Sequence, residues 1–184
     1  MLQIRIQSTP NPNARKYVVS KELKSEGRVS YQSPEECEHV PMARELLEVT
    51  GVTQVHFFEN VLTVTQTGAL DWPVLDQIVQ EIITEHLDHH DENFVEKVGA
   101  ETKAPRPALG PELEEIDRIL DATIRPSLQL DGGDLELVAL EDNVLTIRYQ
   151  GACGGCPSSY MGTLEAIRMT LRDEFRPGLE VVAI

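Results

Sequence analysis

Apolar and polar residues alternate through LQIRIQ at residues 2–7, which predicts a strand near the start of the chain. The turn-rich STPNPN follows, and then ARKYVVS, whose Val18 and Val19 suit a second strand. Ser33-Pro34-Glu35-Glu36 reads as a helix start, with Ser at the N-cap, Pro at the first position and Glu close behind. That helix is expected to bend at Pro41 and to stop near Gly51. VTQVHFF and VLTVTQ, joined at Glu59-Asn60, predict a hairpin. Asp71 is placed to cap a helix whose Trp72, Leu75, Ile78, Val79, Ile82, Ile83 and Leu87 share one face. The order β-β-α-β-β-α predicts helices packed on an antiparallel sheet.

A second patterned region begins near Glu112. Leu113, Ile116, Leu120, Ile124 and Leu128 form a helical stripe, which Pro126 is expected to loosen. Asp131-Gly132-Gly133-Asp134 predicts a sharp exit, since glycine tolerates positive φ. LELVAL and VLTIRYQ then flank Glu141-Asp142-Asn143 as a hairpin. After a glycine-rich stretch, Met161, Leu164, Ile167, Leu171 and Phe175 outline a last helix, and LEVVAI a last strand. The order here is α-β-β-α-β. The fold class expected is therefore α+β: two small α/β sandwich domains, residues 1–91 and 112–184. A flexible linker, residues 92–111, with three prolines and two glycines, would join them.

Composition narrows the functions open to such a chain. The 184 residues carry a formal charge of −15. It is shared between the two regions: 14 acids against 7 bases before the linker, 14 against 6 after it. This balance argues against nucleic-acid partners and against anionic membrane surfaces, which require Lys and Arg to neutralise phosphates. No apolar run approaches the length of a membrane span. Neither a secretory signal nor an Arg- and Ser-rich transit segment is recognisable, and three cysteines do not make a disulfide framework. A reducing, cytoplasmic location is the expectation, and there a close Cys pair means metal or redox chemistry more often than a staple.

That pair is Cys153 and Cys156, in GACGGCPSS at residues 151–159 between the predicted hairpin and the last helix. Thiolates, not thiols, ligate metals and act as nucleophiles. The first turn of a helix offers unpaired N–H groups and partial positive charge, both favourable to sulfur anions. Gly151, Gly154 and Gly155 leave room for a bulky inorganic guest. Three readings stand side by side. The cysteines could merely fill a glycine-rich turn. They could form a dithiol–disulfide oxidoreductase, although such a motif normally follows a parallel strand within a β-α-β unit and the strands before this one look like a hairpin. They could also ligate metal or an iron–sulfur cluster. Tetrathiolate sites need four sulfurs and one chain supplies two, so a second copy related by a two-fold axis is the simplest source of the rest. A zinc-linked dimeric adaptor is the colourless variant of this last reading.

IRPSLQLDGGDLELVAL…NVLTIRYQGACGGCPSS resembles the C-terminal domain of the NifU family, the Nfu-type iron–sulfur scaffold and carrier proteins. TPNPN at residues 9–13 and PMARELLEVTGVTQVHFFENVLTVT at residues 41–65 resemble the Nfu N-terminal domain. The resemblance implies a [4Fe–4S] cluster bridging two subunits, ligated by Cys153 and Cys156 of each, with [2Fe–2S] as the alternative. It implies a homodimer when cluster-bound, receipt from upstream cluster-assembly proteins and delivery to apo iron–sulfur clients by ligand exchange, without enzymatic catalysis. Tyr160-Met161-Gly162-Thr163 departs from the threonines and leucine common after the motif in the family, and Gly162 would cost its helix about 1 kcal/mol.

Other residues with chemical potential have plainer explanations. Cys37 lies among Glu35, Glu36 and Glu38, which should raise its pKa, and a surface or half-buried thiol is expected. His86, His89 and His90 have metal-like spacing but stand at a helix end, where a cation is favoured in any case. Asp131 and Asp134 are expected to bond their own turn. The glycine-rich loop lacks the Lys and Ser/Thr of a phosphate loop.

Overall fold

The computed structural model describes residues 2–94, 110–154 and 157–184, with side chains from Gly162 onward in the last stretch. The chain divides into two compact units, Met1–Gly99 and Ala100–Ile184. Both are built of helices on sheets, and the fold is α+β.

The first unit contains β1 (Ile4–Ser8), β2 (Ala14–Val19), β3 (Lys24–Tyr31), a 3₁₀ turn (Pro34–Cys37), α1 (Pro41–Glu48), β4 (Val52–Glu59), β5 (Val61–Gln66) and α2 (Trp72–His86). The strands form one antiparallel sheet in the order β1-β2-β5-β4-β3. Register places Val29, Phe57, Leu62 and Tyr17 in one cross-strand row, and all four are buried. Met42, Ala43, Leu46, Leu75, Val79 and Ile83 from the two helices pack in the same core.

Three details differ from the sequence pattern. β3 is an additional strand, so the order is β-β-β-α-β-β-α. Gly27, at φ +71°, and a register shift between Lys24 and Arg28 interrupt the alternation that would have announced it. The helix expected from Pro34 through Val49 is a 3₁₀ turn and a separate α-helix, because Pro41 starts the second piece instead of bending a continuous one. Asp71 contributes no side-chain cap; its carbonyl accepts the N–H groups of Val74 and Leu75.

The packing of this unit also runs beyond residue 91. Ser25 donates its backbone N–H to Glu92 O, and Phe94 is 6% exposed against Phe57 and His90. Phe94 therefore belongs to the first core, because an aromatic ring in contact with His39, Phe57 and His90 contributes more when buried than in a linker. Most of the expected linker lies outside the described residues.

The second unit runs α3 (Pro111–Thr123), α4 (Arg125–Leu130), β6 (Gly133–Glu141), β7 (Val144–Gly151), α5 (Pro157–Glu174) and β8 (Glu180–Ala183). Pro126 divides the expected single helix into α3 and α4, since its ring and missing N–H do not fit a helix interior. Asp142 and Asn143, at φ +46° and +69°, close the β6–β7 hairpin. The sheet order is β6-β7-β8, antiparallel then parallel, so α5 is a crossover joining two parallel strands. Leu113, Ile116 and Leu120 of α3 and Leu164, Ile167 and Leu171 of α5 share a core with Leu135, Leu145, Ile147 and Val181.

Candidate thiol site

The thiol loop leaves the central strand of the second sheet at Gly151 and ends where α5 begins. Gly151 takes φ +59°, and Gly154 N–H returns to Gly151 O at 3.0 Å, so the chain turns tightly as the strand ends. Beside it runs the Asp131–Asp134 turn. Gly133 pairs with Gly151 across the hairpin, and Ala152 N–H donates to Gly132 O at 3.0 Å. Two turns distant in sequence are thereby held flank to flank.

Cys153 sits on that contact. It is 3% exposed and packs within the core of its unit. A Cβ built at Gly133 would come within 2.2 Å of Cys153 Sγ and 2.8 Å of its backbone nitrogen. The sulfur occupies the space where any other residue at position 133 would carry a side chain. Cys156 lies outside the described residues. The loop position expected from the sequence is therefore observed for Cys153, but its sulfur is seated inward and not presented to solvent. Thiols pack well as small apolar groups, and the two glycines leave a seat of matching size.

Beneath the turn lies a feature that spacing alone did not suggest. Arg125 is 1% exposed. Its Nη2 lies 2.5 Å from Asp117 Oδ1, its Nη1 2.6 Å from Asp121 Oδ1 and its Nε 3.3 Å from Asp134 Oδ1. Asp134, fully buried, also accepts the Leu135 N–H at 2.7 Å. The expectation that Asp134 serves only its own turn is thus incomplete, while Asp131 is exposed. Asp117 and Asp121, four apart, share one face of α3, but that Arg125 and Asp134 meet them there follows only from the packing of α3, α4 and β6.

The remaining candidates are in the first unit. Cys37 is fully buried, not at the surface, with its Sγ 3.5 Å from Ser33 O and Pro34 O. Burial, followed by the Glu36 carboxylate, pushes its thiol up to about 12. His86, His89 and His90 line a cavity of about 120 Å³ together with His39, Met42 and Phe94. Nε2 of His86 is 2.6 Å from Glu45 Oε2, and Nε2 of His90 donates to Leu23 O at 2.7 Å. Burial holds His90 below its ordinary value. Among the described residues no group of three or more His, Cys, Asp or Glu side chains is arranged to hold a metal ion. None of the described helices is long and apolar enough to cross a membrane.

Comparison with known proteins adds to this geometry. The profile of the NifU-like domain matches residues 116–182, and that of the scaffold protein Nfu/NifU N terminal matches residues 4–90. The chain belongs to the Nfu/NifU-type scaffold family. Among relatives in the family it is similar to the human NFU1 iron-sulfur cluster scaffold homolog, mitochondrial. The two are 31% identical over 175 residues, covering 92% of this chain and 66% of that protein. It is 29% identical to the Arabidopsis thaliana NifU-like protein 4, mitochondrial, over 162 residues, covering 85% of this chain and 56% of that one. The chain thus spans 66% and 56% of these curated relatives. The solution NMR structure of a NifU-like protein from Saccharomyces cerevisiae aligns at a TM-score of 0.46 and 20% identity, over 53% of this chain and 87% of that one.

These relatives correct one expectation. The human, Arabidopsis and Drosophila proteins are named as mitochondrial, which points to mitochondrial rather than cytoplasmic localisation. The physical reasoning behind the cytoplasmic expectation was too coarse: reduced thiols mark a reducing compartment, and the cytoplasm is not the only one.

Proposed function

We propose that this chain is an iron–sulfur cluster carrier whose Cys153 and Cys156 ligate the cluster as cargo. The cluster would be [4Fe–4S], shared with the same two cysteines of a second subunit, and passed to apo-proteins without enzymatic turnover. Residues 112–184 would form the cluster-binding domain, and residues 1–91, with the packing that runs on to Phe94, the Nfu-type N-terminal domain. The observation that carries the proposal is the position of GACGGCPSS: it leaves a central strand against a glycine turn and runs into the first turn of α5. A loop that ends in a helix start would offer its sulfur donors unpaired helix N–H groups, and family membership supports the same reading. The donor set fits. Thiolates suit iron–sulfur chemistry, and glycines at 151 and 133 let backbone approach where side chains would obstruct. The acidic composition would favour basic clients, a preference that high salt would weaken.

Dithiol–disulfide exchange is the second reading, favoured by one observation: α5 connects two parallel strands, so the motif does open a β-α-β crossover. The burial of Cys153 does not separate the two readings, because an exchanging sulfur and a cluster-ligating sulfur must both be reached by a partner. Anaerobic reconstitution with iron and sulfide separates the readings. The carrier takes up about two irons per chain with a broad visible band and shifts to dimer size. A redox-active disulfide with no retained iron would replace it by the oxidoreductase, and a colourless zinc-bound dimer by the adaptor.

A further inference from the structure

Among the described residues Arg125 is the largest fully buried side chain, and its link to the seat of the thiol through Asp134 suggests a purpose beyond stability. The guanidinium spans from α3 to the strand that follows the glycine turn. On one side it meets Asp117 and Asp121; on the other it meets Asp134 and lies 3.5 Å from Leu135 O. Asp134 is held in turn by Leu135 N–H and by Gln129 Nε2, the latter at 3.4 Å. Gly133, the residue before Asp134, is the surface on which Cys153 Sγ rests. The connected path is Arg125, Asp134, Gly133, Cys153, and each link is a contact. Asp117 and Asp121 keep partial access to water, whereas Asp134 has none. A buried ion pair is a costly way to join two elements, and apolar residues of similar volume commonly serve as well or better. What the fork adds is direction: its Nη1 and Nη2 hydrogen-bond Asp121 and Asp117, which fixes the plane of the guanidinium and holds Nε 3.3 Å from Asp134 Oδ1 as an ion pair.

We infer that Arg125 is a positioning residue: through Asp134 it holds Gly133 as the seat of Cys153 and keeps that sulfur shielded until it takes its ligand. The consequence for cluster binding rests on the carrier reading above; the shielding does not.

The test uses the cluster-free full chain with Cys37→Ser and Cys156→Ser, so that Cys153 is the reporter thiol. Alkylation by iodoacetamide is followed under native conditions. Arg125→Met is expected to speed the reaction about tenfold or more, in the range of outer-shell effects at ligand sites. Arg125→Lys, which keeps charge beside Asp134 but loses the fork, should fall between. Leu145→Ala is the control: Leu145 is fully buried in the same unit, and its truncation lowers the melting temperature without touching the path. Equal alkylation rates in Arg125→Met and Leu145→Ala, compared at equal distance below their melting temperatures, would overturn the inference. Should Arg125→Met fail to fold, Arg125→Lys and Asp134→Asn are compared with Leu145→Ala in the same way. A chain with all cysteines restored that retains no iron, while the alkylation pattern holds, sinks the carrier reading and leaves the positioning role standing.

Discussion

Cys37 and Cys153 are both buried thiols packed in a hydrophobic core, yet their polar surroundings differ. Cys37 is the last residue of a 3₁₀ turn that also carries Glu35 and Glu36. Apolar packing and negative charge both oppose its ionisation. Cys153 stands at a strand–helix corner, resting on a glycine with a charged network beneath it. Burial by itself therefore does not distinguish the two thiols; the groups around each sulfur do.

The largest effect expected concerns cargo. Cys153→Ser with Cys156→Ser should abolish iron retention after anaerobic reconstitution, from about two irons per chain to background. Cys37→Ser should leave iron content unchanged, and iron and sulfide analysis of the two proteins tests the contrast directly. Retention by the double variant would end the carrier reading.

Next in size is the polar floor. Arg125→Met leaves Asp134 buried and uncompensated, which should cost about 3–5 kcal/mol. Adding Asp134→Leu should recover much of that loss, measured by urea unfolding. If the double variant is no more stable than the single, the penalty is not that of an orphaned charge. Gly133→Ala should destabilise by about 1–3 kcal/mol through overpacking against Cys153 Sγ. Combining it with Cys153→Gly should relieve the part of the strain due to the sulfur, leaving the 2.8 Å approach to the backbone nitrogen, and an unchanged loss would show that the two side chains are not coupled.

The first unit should respond to acid. His56 is buried beside Arg28, and burial first, then that charge, lowers its pKa from 6.5 to about 3. Folding therefore excludes a proton that the unfolded chain binds between these values. Stability contributed by the neutral imidazole is present above about pH 6.5 and is lost as pH falls toward 3. Melting temperature followed from pH 7 to pH 4 should fall more steeply in the parent than in His56→Gln. Parallel slopes would assign the acid limb to other groups.

The smallest effect is expected in α5. A Cβ at Gly162 would meet nothing within 4 Å, so Gly162→Ala should stabilise by about 1 kcal/mol or slightly less. A melting temperature that does not rise would place an unsuspected constraint at the start of this helix.

How far the site could be read in advance varied by residue. The position of Cys153 between strand and helix was legible, because glycine and proline at close spacing mark a break between two patterned segments. The strand Lys24–Tyr31 was not, since Gly27 and a bulge break its alternation. Phe94 read as linker because its partners, Phe57 and His90, are identified only by the fold. Arg125 carries no local signal of burial; three aspartates converge on it only once α3, α4 and β6 are packed.

The sequence by itself determined the helical and strand faces, the turns at 131–134 and 141–143, and the presence of two closely spaced thiols at residues 153 and 156. Those properties are local: periodicity, glycine conformation and donor type act within a few residues. Tertiary structure alone decided that Cys153 faces inward, that Gly133 is its seat and that Arg125 lies under both. These depend on the register of one hairpin and on where two helices land. A one-residue slip in that register would bring a different residue beneath the sulfur, and no local pattern specifies it.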